Sequence, residues 1–183
     1  GVQVGAIADL SIRKFLAIEV GLFWERHGYD AAMMAATAEE DYMGSQFTRV
    51  RYNDIHIPVL MSWRFNILPQ AVWSVDLGPY FSYGLSGTKK ADSYIAFGEE
   101  DGQLVFDHNI SNQKYFKADP KDFLAVNRFD AGLKVGTGLA FFSHYTISVY
   151  YQRSVKNNAK DFDGGADYHL RNCSWSVNIG YNF

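Results

Sequence analysis

The chain has 183 residues and a net charge of −3, and 48% of its residues are hydrophobic. This length suits one domain, and the acidic balance disfavours nucleic acid as a partner. No segment approaches the roughly 18 consecutive apolar residues that a transmembrane helix needs, and the single cysteine, Cys173, excludes an intramolecular disulfide and a cysteine-based metal cluster. The mean hydropathy is slightly negative. That value does not exclude a membrane β-barrel, because barrel strands alternate apolar and polar residues.

The first half of the chain contains segments of alternating polarity. Residues 2–10 alternate, a break follows at residues 11–14, and a second alternating segment runs from Leu16 through Trp24. The segment from Gly28 to Thr48 is rich in Ala, Met and acidic residues and has no clear apolar stripe, so we predict a loop there. The next strand, residues 54–65, has a strict period of two, with Pro58 as an irregularity because proline cannot donate a hydrogen bond to a neighbouring strand.

The second half continues the same pattern. A turn at residues 66–70 leads to a strand over residues 71–85, and a strand over 128–142 is followed by a turn at 143–144 and a strand over 145–152. After a loop at residues 154–168, the last segment places six residues on one face, namely Cys173, Trp175, Val177, Ile179, Tyr181 and Phe183. Such alternation is typical of a strand with one oily and one polar surface.

The connections alternate in length. Short turns lie at 11–14, 66–70 and 143–144, and long loops at 28–48, 86–122 and 154–168. Short turns at one end and long loops at the other are typical of outer-membrane barrels. We therefore predict a single all-β domain over residues 1–183, an antiparallel up-and-down transmembrane β-barrel. Within the long segment 86–122, two β-prone pieces at 93–97 and 103–110 are predicted to form a hairpin above the membrane.

Seven strands can be recognised in the sequence. Single-chain bacterial barrels use an even number of strands. We therefore expect eight strands in total, with the first one upstream of Gly1.

Four segments resemble the PorT-like outer-membrane β-barrel family of Bacteroidetes. They are NDIHIPVLMSWRF (53–65), LGPYFSYGLSG (77–87), RFDAGLKVGTGLAF (128–141) and NIGYNF (178–183), in the family's order. The resemblance implies an integral barrel in the outer membrane of a Gram-negative bacterium. It supplies no catalytic residues, and some relatives serve protein secretion.

The polar faces of the predicted strands define the expected barrel interior. An eight-stranded barrel is only wide enough for side chains to fill it, and buried charges persist when they are paired. We predict a lumen charge network that also reaches Tyr80 and Gln152 and is made of Asp9, Glu19, Glu25, Asp54, His56, Arg64, Asp76, Arg128, Asp130 and Lys134.

The oily faces are expected to meet lipid. Their aromatic residues suit the belts that form at the two membrane interfaces, and they are Trp24, Trp63, Trp73, Phe81, Phe141, Tyr145, Trp175, Tyr181 and Phe183. The terminal Phe183 also resembles the C-terminal signal that the barrel-insertion machinery reads.

Catalytic and metal-binding patterns are weak. Asp54, His56 and Ser62 share a face, but six residues of strand place Ser62 roughly 20 Å from His56, too far for a triad. A carboxylate dyad of Glu19 with Asp54 on the neighbouring strand remains open as an acid/base pair, although ion pairing explains these residues equally well. The five histidines show no ligand spacing, and the glycines at 132–138 lie in a strand, where phosphate binding is not expected.

These observations favour a non-enzymatic integral outer-membrane barrel that acts as a structural or interaction subunit of an envelope complex. Its expected partners are outer-membrane lipid, the insertion machinery during assembly and other envelope proteins, with no cofactor. Two alternatives remain open. One is a soluble lipid-binding barrel of calycin type, and the other is a small outer-membrane enzyme or pore.

Overall fold

The alternating segments form one antiparallel sheet in the computed structural model, which describes residues 1–37, 42–98, 104–117, 126–159 and 170–183. The strands are β1 (Val2–Arg13), β2 (Leu16–Thr37), β3 (Tyr42–Leu68), β4 (Ala71–Gly98), β5 (Leu104–Lys114), β6 (Phe129–Phe141), β7 (Tyr145–Ser154) and β8 (Cys173–Tyr181). A short 3-10 helix, Tyr115–Lys117, follows β5. Among the described residues, no helix has the length and apolar character needed to cross a membrane.

Strand order confirms the predicted fold class. Seven strands pair in the order β1-β2-β3-β4-β6-β7-β8, and the eighth strand, β5, pairs with the far part of β4. Each consecutive pair is antiparallel, as an up-and-down barrel requires. We call the end with the short connections the turn end, and the opposite end the loop end.

The predicted loop at residues 28–48 is wrong for the described part of that segment. β2 continues to Thr37, β3 begins at Tyr42, and the two strands pair without interruption from Gly28↔Arg51 to Thr37↔Tyr42. The sequence lacks an apolar stripe here because most side chains of this part of β2 and β3 are exposed or half-buried, although Thr48 and Val50 on the inward face are buried. Pairing with a neighbour stabilises a strand that intrinsic preference alone does not specify.

The predicted hairpin in segment 86–122 is confirmed for its described residues. β4 extends to Gly98, and β5 pairs with it from Thr88↔Lys114 to Gly98↔Leu104. Residues 99–103 and 118–122 of that segment lie outside the described residues, as do residues 160–168 of the predicted loop at 154–168. The loop end therefore carries an extended sheet, made of residues 28–37 of β2, 42–51 of β3, 88–98 of β4, and β5.

A register shift separates the barrel from this extended sheet. Asn53 pairs with Ser86 whereas Asp54 pairs with Gly84, so Leu85 is an extra residue on β4. Such a β-bulge bends a strand and increases its twist. At the turn end, the predicted turn at 143–144 begins one residue earlier, at Phe142, where Phe142 and Ser143 have φ angles of 52° and 63°.

The two ends of the seven-strand path do not pair with each other in the described structure. β1 and β8 are the first and last strands of an odd antiparallel series, so they run in the same direction. A cleft of about 770 Å³ opens between them, lined by residues 1–5 and 173–179. In the described structure, β1 and β8 therefore each leave one strand edge open towards the cleft.

Candidate functional site

The outward surface is a continuous apolar belt. Its aromatic residues gather near both ends, and all nine residues of the predicted belt are exposed or half-buried on this surface. Phe65 packs against Trp73 near the turn end (5.4 Å between ring centroids), and Tyr151 packs against Trp175 towards the loop end (5.0 Å). Beyond Trp24 in the direction of the loop end, the same face becomes polar, at Arg26, Asn53 and Arg51. The belt therefore ends where the extended sheet begins.

Near the turn end, one arginine holds two carboxylates on the inward face. Arg64 Nη2 donates to Glu19 Oε1 at 2.8 Å and also contacts Asp9. These three residues come from β3, β2 and β1, so the cation joins three strands. The network was predicted from the polar faces, and these three members lie together.

Asp76 forms a second cluster with hydroxyl groups. Its carboxylate accepts hydrogen bonds from Ser62 at 2.6 Å, Tyr150 at 3.0 Å and Ser74 at 3.3 Å. Three donors replace the water that a buried carboxylate has lost. Asp76 thus belongs to the interior without a direct ion pair.

The middle of the interior is filled by large side chains. Lys134, His56 and Tyr80 are fully buried. Lys134 Nζ lies 3.2 Å from His56 Nε2 and also lies over the rings of Phe23 and Tyr150, at 5.9 and 5.1 Å. His56 Nδ1 is 2.8 Å from the hydroxyl of Ser82.

A third cluster lies near the loop end. Asp130 accepts hydrogen bonds from Ser154 at 2.6 Å, Asn172 at 3.0 Å and Tyr80 at 3.4 Å. The predicted network member Arg128 forms no ion pair with a carboxylate in the described structure. It donates to the backbone carbonyl groups of Gly84 and Leu85, at 2.9 and 3.1 Å.

An aromatic roof covers this cluster. It consists of Val50, Tyr115, Phe116 and Val126, which are all buried. Arg128 lies over the Phe116 ring at 5.3 Å, and a small cavity of about 40 Å³ remains beneath the roof. This feature could not be predicted from the sequence, because Tyr115 and Phe116 lie in a long segment of mainly polar residues.

The arrangement of possible catalytic residues differs from a hydrolase site. Ser62 binds Asp76, and His56 binds Ser82. The second nitrogen of His56 faces Lys134, and this cation opposes the positive charge that a general base acquires.

The dyad of Glu19 with Asp54 is wrong, because the register places these residues apart. Glu19 lies opposite Leu60, whereas Asp54 lies opposite Glu25. The pair that the fold does bring together is Glu25 with Asp54, and both side chains are buried. His27 lies between them, with Nε2 at 2.8 Å from Glu25 Oε2 and 3.4 Å from Asp54 Oδ1. All three residues line the cleft between β1 and β8.

The extended sheet carries exposed apolar residues on its outward face. They occupy register-matched positions on four strands, at Met34, Met43, Phe47, Tyr94, Phe106 and Ile110. Tyr94 stacks on His108, whose Nε2 is 2.6 Å from Asp92 Oδ1. Within the described residues β5 pairs only with β4, so its other edge is open.

Charges on the same face lie closer to the barrel. Asp30 binds both Arg49 (3.2 Å) and Arg51 (3.1 Å). The hydrogen bond from Arg51 is the main cause that lowers the pKa of the Asp30 carboxyl. The side chains of this cluster are exposed, at 56% for Asp30, 65% for Arg49 and 43% for Arg51.

Comparison with known proteins gives one match. Residues 1–160 match the family model described as outer membrane protein beta-barrel domain. No curated protein and no solved structure matches the chain significantly. The family match covers seven of the eight strands and the whole extended sheet.

Proposed function

Because the chain belongs to the outer membrane protein beta-barrel domain family, we propose that this integral outer-membrane protein is a non-enzymatic subunit of an envelope complex. The observation that carries the proposal is the extended sheet, which continues beyond the apolar belt and exposes apolar side chains to water. The partner in this proposal is another envelope protein that covers the outward face and open edge of β5.

Exposure on the extended sheet supports a covering partner. Met34 is 77% exposed and Phe106 is 75% exposed, although both lie above the belt that meets lipid. An open strand edge next to such residues is a template for strand addition, and proteins that act alone usually block such edges. Among the described residues, no element covers the β5 edge.

The side chains that fill the barrel interior disfavour a role in conduction. The ion-paired Arg64, the buried Lys134 and the aromatic roof occupy successive levels between the turn end and the loop end. The distribution of polarity also disfavours the calycin alternative, because a soluble lipid-binding barrel would carry its oily residues inside. In the barrel below the extended sheet, most charged residues point inward and most large apolar residues point outward.

The resemblance to the narrower PorT-like family suggests the cellular process in which this protein acts. The four segments similar to PorT-like proteins of Bacteroidetes support a role related to protein secretion. In that role the barrel anchors the extended sheet at the cell surface, and the sheet holds the partner.

Site-specific photo-crosslinking in cells tests the proposal. A photoreactive amino acid in place of Phe106 should give one discrete adduct with another envelope protein. The same amino acid in place of Asp107, which lies on the other face of β5, should give a much lower yield. The double variant with Phe106→Lys and Ile110→Lys should prevent association, whereas Asn112→Lys on the same face should preserve it. Adducts with lipid alone, or equal yields at both positions, would contradict the interaction role.

A further inference from the structure

Three side chains at the mouth of the cleft form a compact set of metal-binding groups. Glu25, His27 and Asp54 each offer a ligand atom, and these atoms all lie within 4.8 Å of one another. We infer that Glu25, His27 and Asp54 bind one divalent transition-metal ion of the zinc class. The site joins β2 to β3 just below the extended sheet.

The charge of the cluster calls for a cation. Glu25 and Asp54 are directly opposite each other in the register of β2 and β3, and they are 3% and 6% exposed. Like charges at facing positions of a sheet destabilise the pair, and burial increases the repulsion. His27 supplies at most one positive charge, whereas a divalent ion balances both carboxylates.

A buried carboxylate oxygen without a hydrogen bond is the second observation. Asp54 Oδ1 is buried and has no hydrogen-bond partner among the described residues, although His27 Nε2 lies 3.4 Å away. The Asp54 side chain as a whole is only 9% exposed. A buried carboxylate oxygen normally accepts a hydrogen bond or binds a cation. Asp54 Oδ1 lies next to the imidazole nitrogen of His27 and therefore faces the proposed metal site.

The spacing suits a small ion. Zinc bound to nitrogen and oxygen at about 2.0–2.1 Å in tetrahedral geometry separates its ligand atoms by about 3.4 Å. The distance between His27 Nε2 and Asp54 Oδ1 already has this value. The hydrogen-bonded contact between His27 Nε2 and Glu25 Oε2, at 2.8 Å, must widen by about 0.6 Å. The ligand atoms of Glu25 and Asp54 lie within 4.8 Å of each other.

Aromatic stacking orients the histidine. The His27 ring stacks on Tyr52 at 5.2 Å, and Tyr52 stacks on Tyr115 of the roof at 5.4 Å. Packing against an aromatic ring restricts the orientation of the imidazole. The aromatic roof and the ligand set are thus one packed unit.

The donor set selects the metal. One imidazole nitrogen with two carboxylate oxygens suits zinc and related transition metals, whereas calcium and magnesium prefer oxygen ligands alone. The cleft of about 770 Å³ borders all three residues, so water can complete the coordination.

Zinc titration of the folded protein tests the site. The protein is prepared in detergent without a histidine tag, stripped with a chelator and titrated with Zn²⁺ by calorimetry. The site predicts saturation at one equivalent and a higher unfolding temperature with zinc. Both His27→Ala and Asp54→Asn should lower the affinity at least about tenfold. His108→Ala is the matched control, because His108 pairs with a carboxylate on the exposed hairpin.

Several results would overturn the inference. One is that the wild-type protein shows no saturable zinc binding. Another is that the His27 and Asp54 variants bind zinc as tightly as the wild type. A third is that magnesium and calcium bind as tightly as zinc. If a variant does not fold, cobalt absorbance of the wild-type protein decides the question. Intense visible bands of a four- or five-coordinate ion are expected, and the weak bands of octahedral cobalt would contradict the assignment.

Discussion

Glu25 and Asp54 face each other directly across β2 and β3, and both carboxylates are buried on the inward side. His27 separates them, at 2.8 Å from the first and 3.4 Å from the second. Like charges at facing positions of a sheet destabilise it, and a group between them can offset the repulsion. A change of charge at either carboxylate should therefore change the stability of the barrel.

Asp54→Asn should therefore stabilise the metal-free protein. The substitution removes the repulsion with Glu25, and Asp54 Oδ1 has no hydrogen bond to lose in the described structure. The expected gain is about 1 kcal/mol, measured as the free energy of unfolding in urea with a chelator present. A decrease of similar size in the free energy of unfolding would mean that the Asp54 charge stabilises the fold by pairing with a cation.

Arg64→Leu should have the opposite effect. Arg64 is the cation that holds Asp9 and Glu19, so its removal leaves two carboxylates without their shared partner. Because the side chain is 28% exposed, the expected loss is about 2 kcal/mol. Arg49→Leu is the matched control, since its 65% exposed side chain should contribute less than about 1 kcal/mol. Equal losses in both variants would refute a special role for Arg64.

Gly84 should tolerate no side chain under the aromatic roof. A Cβ atom at this position would overlap the Phe116 ring, so Gly84→Ala must displace Phe116. The expected loss is about 1–3 kcal/mol, with faster proteolysis near residue 116 as the roof loosens. Gly180→Ala is the control, because the nearest atom there is 3.8 Å away and its effect should be small. An unchanged stability of Gly84→Ala would show that Phe116 does not pack on β4 in solution.

The cluster of Asp30 with Arg49 and Arg51 predicts a pH-dependent contribution to the free energy of unfolding. The hydrogen bond from Arg51 lowers the pKa of Asp30 below its usual value. A depressed carboxyl pKa contributes stability above the unfolded value of about 3.9, and this contribution is lost as the pH falls through the lower folded value. Arg51→Ala should raise the pKa of Asp30 in an NMR titration, whereas Lys90→Ala should leave it nearly unchanged. No shift in Arg51→Ala would rule out this cause.

The open edges of β1 and β8 predict a distinct pattern of hydrogen exchange. Backbone amides on the cleft side of both strands lack partners in the described structure, whereas β3 is paired on both sides. In the 183-residue chain, edge amides of β1 and β8 should exchange at least about tenfold faster than amides of β3. An added strand that pairs with the open edges of β1 and β8 should protect these amides from exchange. Slow exchange in this chain would mean that β1 and β8 contact each other directly.

Much of the fold could be predicted because alternating polarity fixes which side chains share a face. The inward position of Lys134 and the outward position of Trp73 follow from this period alone. The pairing of Glu25 with Asp54 could not be predicted, because it depends on the register of β2 against β3. The described pairs from Gly28↔Arg51 to Thr37↔Tyr42 lie inside the segment predicted as a loop, and a different register changes every cross-strand pair.

The roof was also beyond prediction. Tyr115 and Phe116 follow β5, whose position depends on long-range pairing with β4. Nothing in the local sequence places their rings over Gly84. A histidine two residues after an inward glutamate was the available signal for the cluster of Glu25 and His27, since both lie on one face of a strand.

The native mass of the protein in its own membrane tests the central claim most directly. Extraction in mild detergent, followed by native electrophoresis and size-exclusion chromatography with light scattering, gives this mass. An envelope subunit predicts a defined complex well above the 20.7 kDa of the chain plus bound detergent, and the double variant with Phe106→Lys and Ile110→Lys should release the barrel from it. A monomer as the sole species, together with conductance in liposomes, would contradict the subunit role and favour a small pore.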